Sequence, residues 1–215
     1  IAAQGLGQTA DRVSVLIGDS SLAKTAVEGG SWTAASSGSA VQAGCFEIRK
    51  TLLSLAQKLD SSPLAGVSVE DLAIRDNRLV LDRNDQVGLS IADILGSQGM
   101  SSVEGHGKVA PDEEQAKKFV SYTHSAIFTE VKIDAEMGVP RVTRVVIAVA
   151  AGTIINPKTA RSQVLGGVVM GLGMALHEES MIDHRSGRIM NHNLAEYHVP
   201  AHADVQDIEV IFVEE

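Results

Sequence analysis

Apolar side chains along this chain change their period from segment to segment, and each period predicts a different element. Val41, Cys45, Ile48, Leu52, Leu55 and Leu59 recur every three or four residues, which sets them on one face of a helix. Ser39 with Gln42 fits a capping box, so that helix is expected to begin at Ser39, to bury Cys45 and to end at Ser61-Ser62-Pro63. Val13, Val15 and Ile17 take every second position, predicting a half-buried strand over 12–18, after a helix tail over 1–6. Short strands are expected over 72–74, 79–81 and 87–89, a short helix over 91–95, and an extended stretch over 102–108. The strongest strand signals are 119–134 and 141–149, rich in Val, Ile, Phe and Thr, with a Gly-Pro turn over 137–140 making them an antiparallel hairpin. Asp183 to Gly187 reads as a turn, 191–199 as polar and irregular, and 207–213 as a last strand.

One stretch resists that simple account. Residues 153–179, TIINPKTARSQVLGGVVMGLGMALHEE, begin with the turn signal Asn156-Pro157 and a candidate cap at Thr159, then run apolar from Val164 to Leu176 as a buried helix should. Yet Gly166, Gly167, Gly171 and Gly173 each cost a helix about 1 kcal/mol relative to Ala. Gln163, Gly167, Gly171, Met174 and Glu178 share one stripe, because positions three and four apart lie on one face. The stripe has two explanations: close helix packing through the Gly167/Gly171 pair, or a smooth surface for a ligand. The apolar run falls short of the roughly 20 residues a bilayer span needs.

Composition narrows the function classes. The 215 residues are 44% hydrophobic and 21% charged, enough for a globular core, and a net charge of −9 without a local Lys/Arg cluster argues against nucleic acid as partner. Cys45 is the only cysteine, so this chain alone builds neither a disulfide nor a Cys-held iron–sulfur cluster, and its core position suits an inert thiol better than a nucleophile. His198 and His202 are spaced like a helical metal pair, but Pro200 between them breaks the helix and HExxH is lacking. Gly5 to Ala10 matches GxGxxA without a preceding strand, and His177-Glu178-Glu179 reads as helix capping and ion pairing. Residues 106–118 are polar and charged, an exposed loop without expected chemistry. The start resembles neither a signal peptide nor an initiating Met, so a segment of a longer polypeptide is expected. GGSWTAASSGS, residues 29–39, is either a solvated linker or an anion-cradling loop, since small side chains before a helix N-terminus let backbone N–H groups approach a ligand closely.

Taken together, GGSWTAASSGSAV from Gly29, FTEVKID from Phe128, the INPKTARSQVLGGVVMGLGMALHEE helix and the following NHNLAEYHVPAHADVQDIEVIFV resemble the molybdenum-cofactor-binding large subunit of the xanthine dehydrogenase and aldehyde oxidase family. The resemblance runs over almost the whole chain in the family's order. It implies an α+β fold, with mixed and antiparallel sheets and packed helices, forming part of a molybdopterin-binding domain over 1–215 with possible sub-units 1–118 and 119–215. It implies a molybdopterin dinucleotide whose dithiolene, rather than protein, holds the molybdenum. Ala35 and Ser36 align with residues lying against the cofactor, flanked by Thr33, Ala34, Ser37 and Gly38, and Gln163 matches a glutamine that hydrogen-bonds it. The implied reaction is hydroxylation of an aldehyde or aromatic N-heterocycle with oxygen from water, electrons leaving through 2Fe-2S clusters and often FAD on partner domains or subunits. A bacterial, cytoplasmic enzyme is expected, with a periplasmic one as the alternative. Two departures stand out: Ala150-Ala151-Gly152 replaces a stretch often carrying Asp and Cys, and the family's catalytic glutamate, on a GxGExG-like segment, would follow the last strand. The chain is therefore expected to bind cofactor without supplying the base, and to be inactive alone. The rival reading is a noncatalytic assembly or interaction domain sharing the fold.

Overall fold

A computed structural model describes residues 1–27 and 29–214 and divides the chain into two compact units, Ile1–Glu114 and Gln115–Glu215. In the first unit, α1 (Ala2–Gly5) lies against α2 (Thr33–Ala56). The apolar face of α2 packs on β1 (Leu72–Arg75), β2 (Arg78–Leu81) and α3 (Ile91–Gly96), while β3 (Asn84–Ser90) completes an antiparallel sheet of order β1-β2-β3. Leu52, Leu64, Leu72, Leu79 and Ile94 are at most 1% exposed, and burying each contributes about 1.5–3 kcal/mol. Asp76 and Asn77 join β1 to β2 with φ of 48° and 59°, the positive pair that a two-residue hairpin matching strand twist requires.

Three expectations change here. Residues 13–17 form no strand; Val15, Leu16 and Ile17 are 71–83% exposed, because no neighbouring strand accepts their backbone. The helix starts at Thr33 rather than Ser39, so Ser39 lies inside it and its hydroxyl donates back to Ala35 O instead of capping. Residues 102–108 join no sheet but cross α2 closely: a Cβ on Gly107 would stand 1.7 Å from Ala40 O, and one on Gly105 2.4 Å from Gly44 O. Only glycine lets two backbones approach this far.

The boundary between the units falls inside α4 (Glu113–Lys118), a short helix in the segment expected to be loop. The second unit is organised on the antiparallel pair β4 (His124–Asp134) and β5 (Val139–Ala150), closed by a turn in which Asp134 Oδ1 accepts from Glu136 N and Met137 N. A 20-residue helix, α5 (Pro157–Leu176), leads through the small hairpin of β6 (Ile182–Asp183) and β7 (Arg188–Ile189) to β8 (Asp207–Phe212). The strand β8 pairs parallel with β5, giving the order β4-β5-β8, as the long crossover between them permits. Arg144 fixes that pairing from β5, its Nε 3.1 Å from Asp207 and its Nη2 2.6 Å from Glu209. Helices beside antiparallel and mixed sheets make the fold α+β.

Apolar pattern and burial part company in α5. Its run from Val164 to Leu176 is apolar on every side, yet only Gly173 is buried, so the expected buried helix is a mostly exposed one. No described helix is long and apolar enough to cross a membrane.

Candidate functional site

Thr33, Ala34, Ala35, Ser36, Ser37 and Gly38 are held together on the first two turns of α2, in helix rather than in the expected loop. Trp32 occupies the N-cap without a side-chain hydrogen bond to the helix, and the first turn carries no acidic residue. The α-helical ladder supplies no partner within the helix for the N–H groups of Ala34 and Ala35, so the positive end of the dipole faces outward there. Thr33, Ala34 and Ala35 are exposed, Ser36 and Ser37 half-buried, and Gly38 buried. The Ser36 hydroxyl donates to Trp32 O at 3.0 Å, turning it away from the outer surface. A helix end built this way, with small side chains and no carboxylate of its own, fits an anionic group approaching the backbone.

Gln163 stands in the second unit, exposed, two turns into α5. The helix is begun by Asn156, whose Oδ1 accepts from Lys158 N at 3.1 Å and Thr159 N at 3.3 Å; Thr159, the expected cap, instead donates its hydroxyl to Asn156 O. Lys158 and Arg161 place cationic side chains in the same two turns. Further along, α5 and the face of β4 and β5 enclose an open groove of about 670 Å³, walled by Ile127, Val131, Ile147, Val164, Val168 and Leu172 among others. Those walls are apolar, and Thr123, His124, Ser125 and Thr129 add polar groups to the same lining. Gly167 and Gly171 also line it, and a Cβ on either would meet nothing within 4 Å. Close helix packing at that pair is thus not made by the described residues.

Two polar anchors were not foreseen. Asn191, 6% exposed, donates to Glu179 O at 2.5 Å and accepts from Met181 N at 2.9 Å, closing the chain after α5. Tyr197 OH donates to Glu178 Oε2 at 2.8 Å, and Glu178 Oε1 with Pro200 packs over Gly173. The run HEE followed by NHN and EYHVP was the only sequence signal for them, and pairing within it depends on the fold. The carboxylate accepting from Tyr197, with some burial, raises the phenol above its ordinary value of 10.0. A raised folded-state value means that this stabilisation is present below the unfolded pKa and is lost as pH rises through the folded one. Tyr197→Phe is expected to remove that alkaline loss and to raise amide exchange in 191–200 at neutral pH; unchanged exchange would show the pair to be ornamental. Burial likewise pushes the Cys45 thiol up, and Gly5 packs against it, in keeping with an inert core position.

The helices and mixed sheets define an α+β domain, and comparison with known proteins supplies the family. The profile of the molybdopterin cofactor-binding domain matches residues 1–206. The aldehyde oxidoreductase molybdenum-binding subunit PaoC of Escherichia coli (strain K12) is 34% identical over the whole chain, which spans 27% of that relative. The nicotine 6-hydroxylase large subunit of Paenarthrobacter nicotinovorans is 28% identical over 93% of this chain and 24% of the relative. The structure of reconstituted CO dehydrogenase from Oligotropha carboxidovorans superposes with a TM-score of 0.76 over 99% of this chain and 26% of its own, at 19% identity, and so shares the fold. The chain belongs to the molybdopterin cofactor-binding domain family and spans about a quarter of the length of the curated relatives it matches.

Proposed function

We propose that this chain is a cofactor-binding part of the large subunit of a molybdenum hydroxylase, in which the first turns of α2 hold an anionic part of a molybdopterin dinucleotide and Gln163 hydrogen-bonds it. The observation that carries this is the family match over 1–206, which includes every one of these positions. Thr33, Ala34 and Ala35 contribute exposed surface at a helix N-terminus, with the half-buried Ser36 and Ser37 and the buried Gly38 behind them. Gln163 contributes an amide that both donates and accepts, suited to orienting a pterin or phosphate edge. When bound, the cofactor supplies the redox chemistry that places water-derived oxygen on an aldehyde or aromatic N-heterocycle; the protein binds and orients it. With Cys45 alone, these residues hold no iron–sulfur cluster, so the 2Fe-2S centres and FAD of the proposed assembly lie on partner domains or subunits.

The direct test is molybdenum and pterin analysis of the intact parent protein purified with its partners; a fully assembled protein without either would end this reading. A finer test is Gln163→Ala in that protein. Leaving a cofactor group unpaired is expected to cost about 1–3 kcal/mol of cofactor affinity. Apoprotein stability should barely change, because Gln163 is exposed. Unaltered molybdenum occupancy and activity would remove Gln163 from the site.

A further inference from the structure

We propose that Trp32 is a further cofactor-binding residue, its indole forming the platform on which a planar heterocycle of the molybdopterin dinucleotide stacks beside the first turns of α2. The proposal rests on the reading of those turns as part of the cofactor site. Trp32 is the only tryptophan of the chain and stands at the N-cap of α2, a position that favours a short polar side chain able to bond the free N–H groups. Its side chain makes no such bond. Nor does it join the core of this unit, built around Leu52, Leu72, Leu79 and Ile94, and it stays 55% exposed. A tryptophan that neither caps its helix nor fills a core offers a partner an apolar face with an N–H at its rim.

The local backbone seats the ring. Gly30 and Ser31 take φ of 55° and 60°, and the indole lies back on Gly30, where a Cβ would stand 2.4 Å from its Nε1 and 3.0 Å from its Cε2. Glycine alone leaves that room. The Trp32 backbone is held on both sides: its N–H donates to Gly29 O at 3.2 Å, and its carbonyl accepts from Ser36 N at 2.8 Å and from the Ser36 hydroxyl at 3.0 Å. An exposed ring on a fixed backbone loses little freedom when a ligand arrives. Its place decides the chemistry of that ligand. The N–H groups of Ala34 and Ala35 follow directly in the first turn, so one molecule meeting both features carries an anionic group joined to a flat aromatic ring. A molybdopterin dinucleotide has two such rings, the pterin and the nucleobase, each linked to the phosphates.

The test uses the intact parent protein with its partners and follows pterin content, cofactor release and apoprotein melting in Trp32→Leu and Trp32→Tyr. Leucine keeps apolar bulk without a π-face, and tyrosine keeps the face. Removing an aromatic ring from under a stacked heterocycle weakens binding about fivefold or more, so release should quicken by at least that factor in Trp32→Leu and stay near wild type in Trp32→Tyr, with apoprotein melting unchanged in both. Wild-type retention by Trp32→Leu would overturn the proposal, and lowered apoprotein melting with that retention would make Trp32 a packing residue instead. Labelling with 5-fluorotryptophan adds a readout independent of stability: the fluorine resonance lost in Trp32→Phe should shift when cofactor binds, and an unmoved resonance would equally overturn the proposal. Titrating the apoprotein with nucleoside 5′-monophosphates separates the two rings. A shift of that resonance by the nucleotides assigns the stack to the nucleobase, and a shift confined to the complete cofactor assigns it to the pterin. A fully assembled parent without pterin would end the reading of the site and this proposal with it, whereas a pterin-loaded parent indifferent to Trp32→Leu would end the proposal alone.

Discussion

Ala35→Phe in the intact large subunit is expected to abolish molybdenum incorporation while leaving the subunit folded. Ala35 is exposed in the first turn of α2, so the added ring displaces nothing in the core. Its cost to the fold is the helix-propensity difference between Phe and Ala, about 0.5 kcal/mol. The cost to the ligand is larger. Ala34 and Ala35 are exposed next to the Trp32 N-cap, and an anion must come within about 3 Å of their nitrogens to bond. A phenyl ring there occupies the approach. Obstruction worth only about 1.4 kcal/mol already lowers occupancy roughly tenfold at subsaturating cofactor, and the loss expected exceeds that. Ala35→Ser, close in size, should retain the cofactor. Full molybdenum content in the phenylalanine variant, measured on folded protein, would return this turn to a purely structural role.

Local pattern and tertiary context divided the sequence unevenly. The β4–β5 hairpin and the β1-β2-β3 sheet were legible because their alternation and turns are local, and the α2 stripe because its apolar spacing is. The start of α2 was not. Ser, Gly and Trp before Ser39 carry no strong helix propensity, and two further turns formed over TAASSG with the Ser36 and Ser39 hydroxyls bonding back to the preceding turn. That miss changes the site's geometry: the same residues present helix N–H groups rather than a loop's. Residues 13–17 failed for the opposite reason, since a strand pattern becomes a strand only when another strand accepts its hydrogen bonds. In α5 the helix itself was legible but the expected burial was not met: among the described residues only Gly173 of α5 is buried, because an apolar run states what a helix is made of and not what packs on it. The position of Gln163 on α5 was likewise legible; its contact with a cofactor rests on family likeness and awaits the variant.

Gly107→Ala is expected to produce a large stability loss, and to weaken cofactor retention with it. The new Cβ would stand 1.7 Å from Ala40 O, 2.6 Å from Gly44 N and 2.8 Å from Ala40 C. All three are backbone atoms of α2, so no side-chain rotation relieves the overlap; the 102–108 segment or the helix must move. Overpacking of this kind costs typically 1–3 kcal/mol and occasionally more, and because the obstacle is rigid about 3 kcal/mol is expected. Gly96→Ala is the matched control, since its Cβ meets nothing within 4 Å and its helix end tolerates alanine. The disturbance should be local. Leu52, Leu64 and Leu79 hold the far half of α2 in a cluster that Val103 also packs against, and their neighbours should lose less protection from hydrogen exchange than residues at the crossing. Amides around Ala40 and Gly44 should lose protection, and with them the turns bearing Ser36 and Gly38, which are continuous with Ala40 in one helix. Retention of molybdenum by the intact subunit should therefore fall for Gly107→Ala and not for Gly96→Ala. Equal stability of the two variants would mean that the crossing segment does not hold α2, and that the N-terminal turns of the helix are positioned by the core alone.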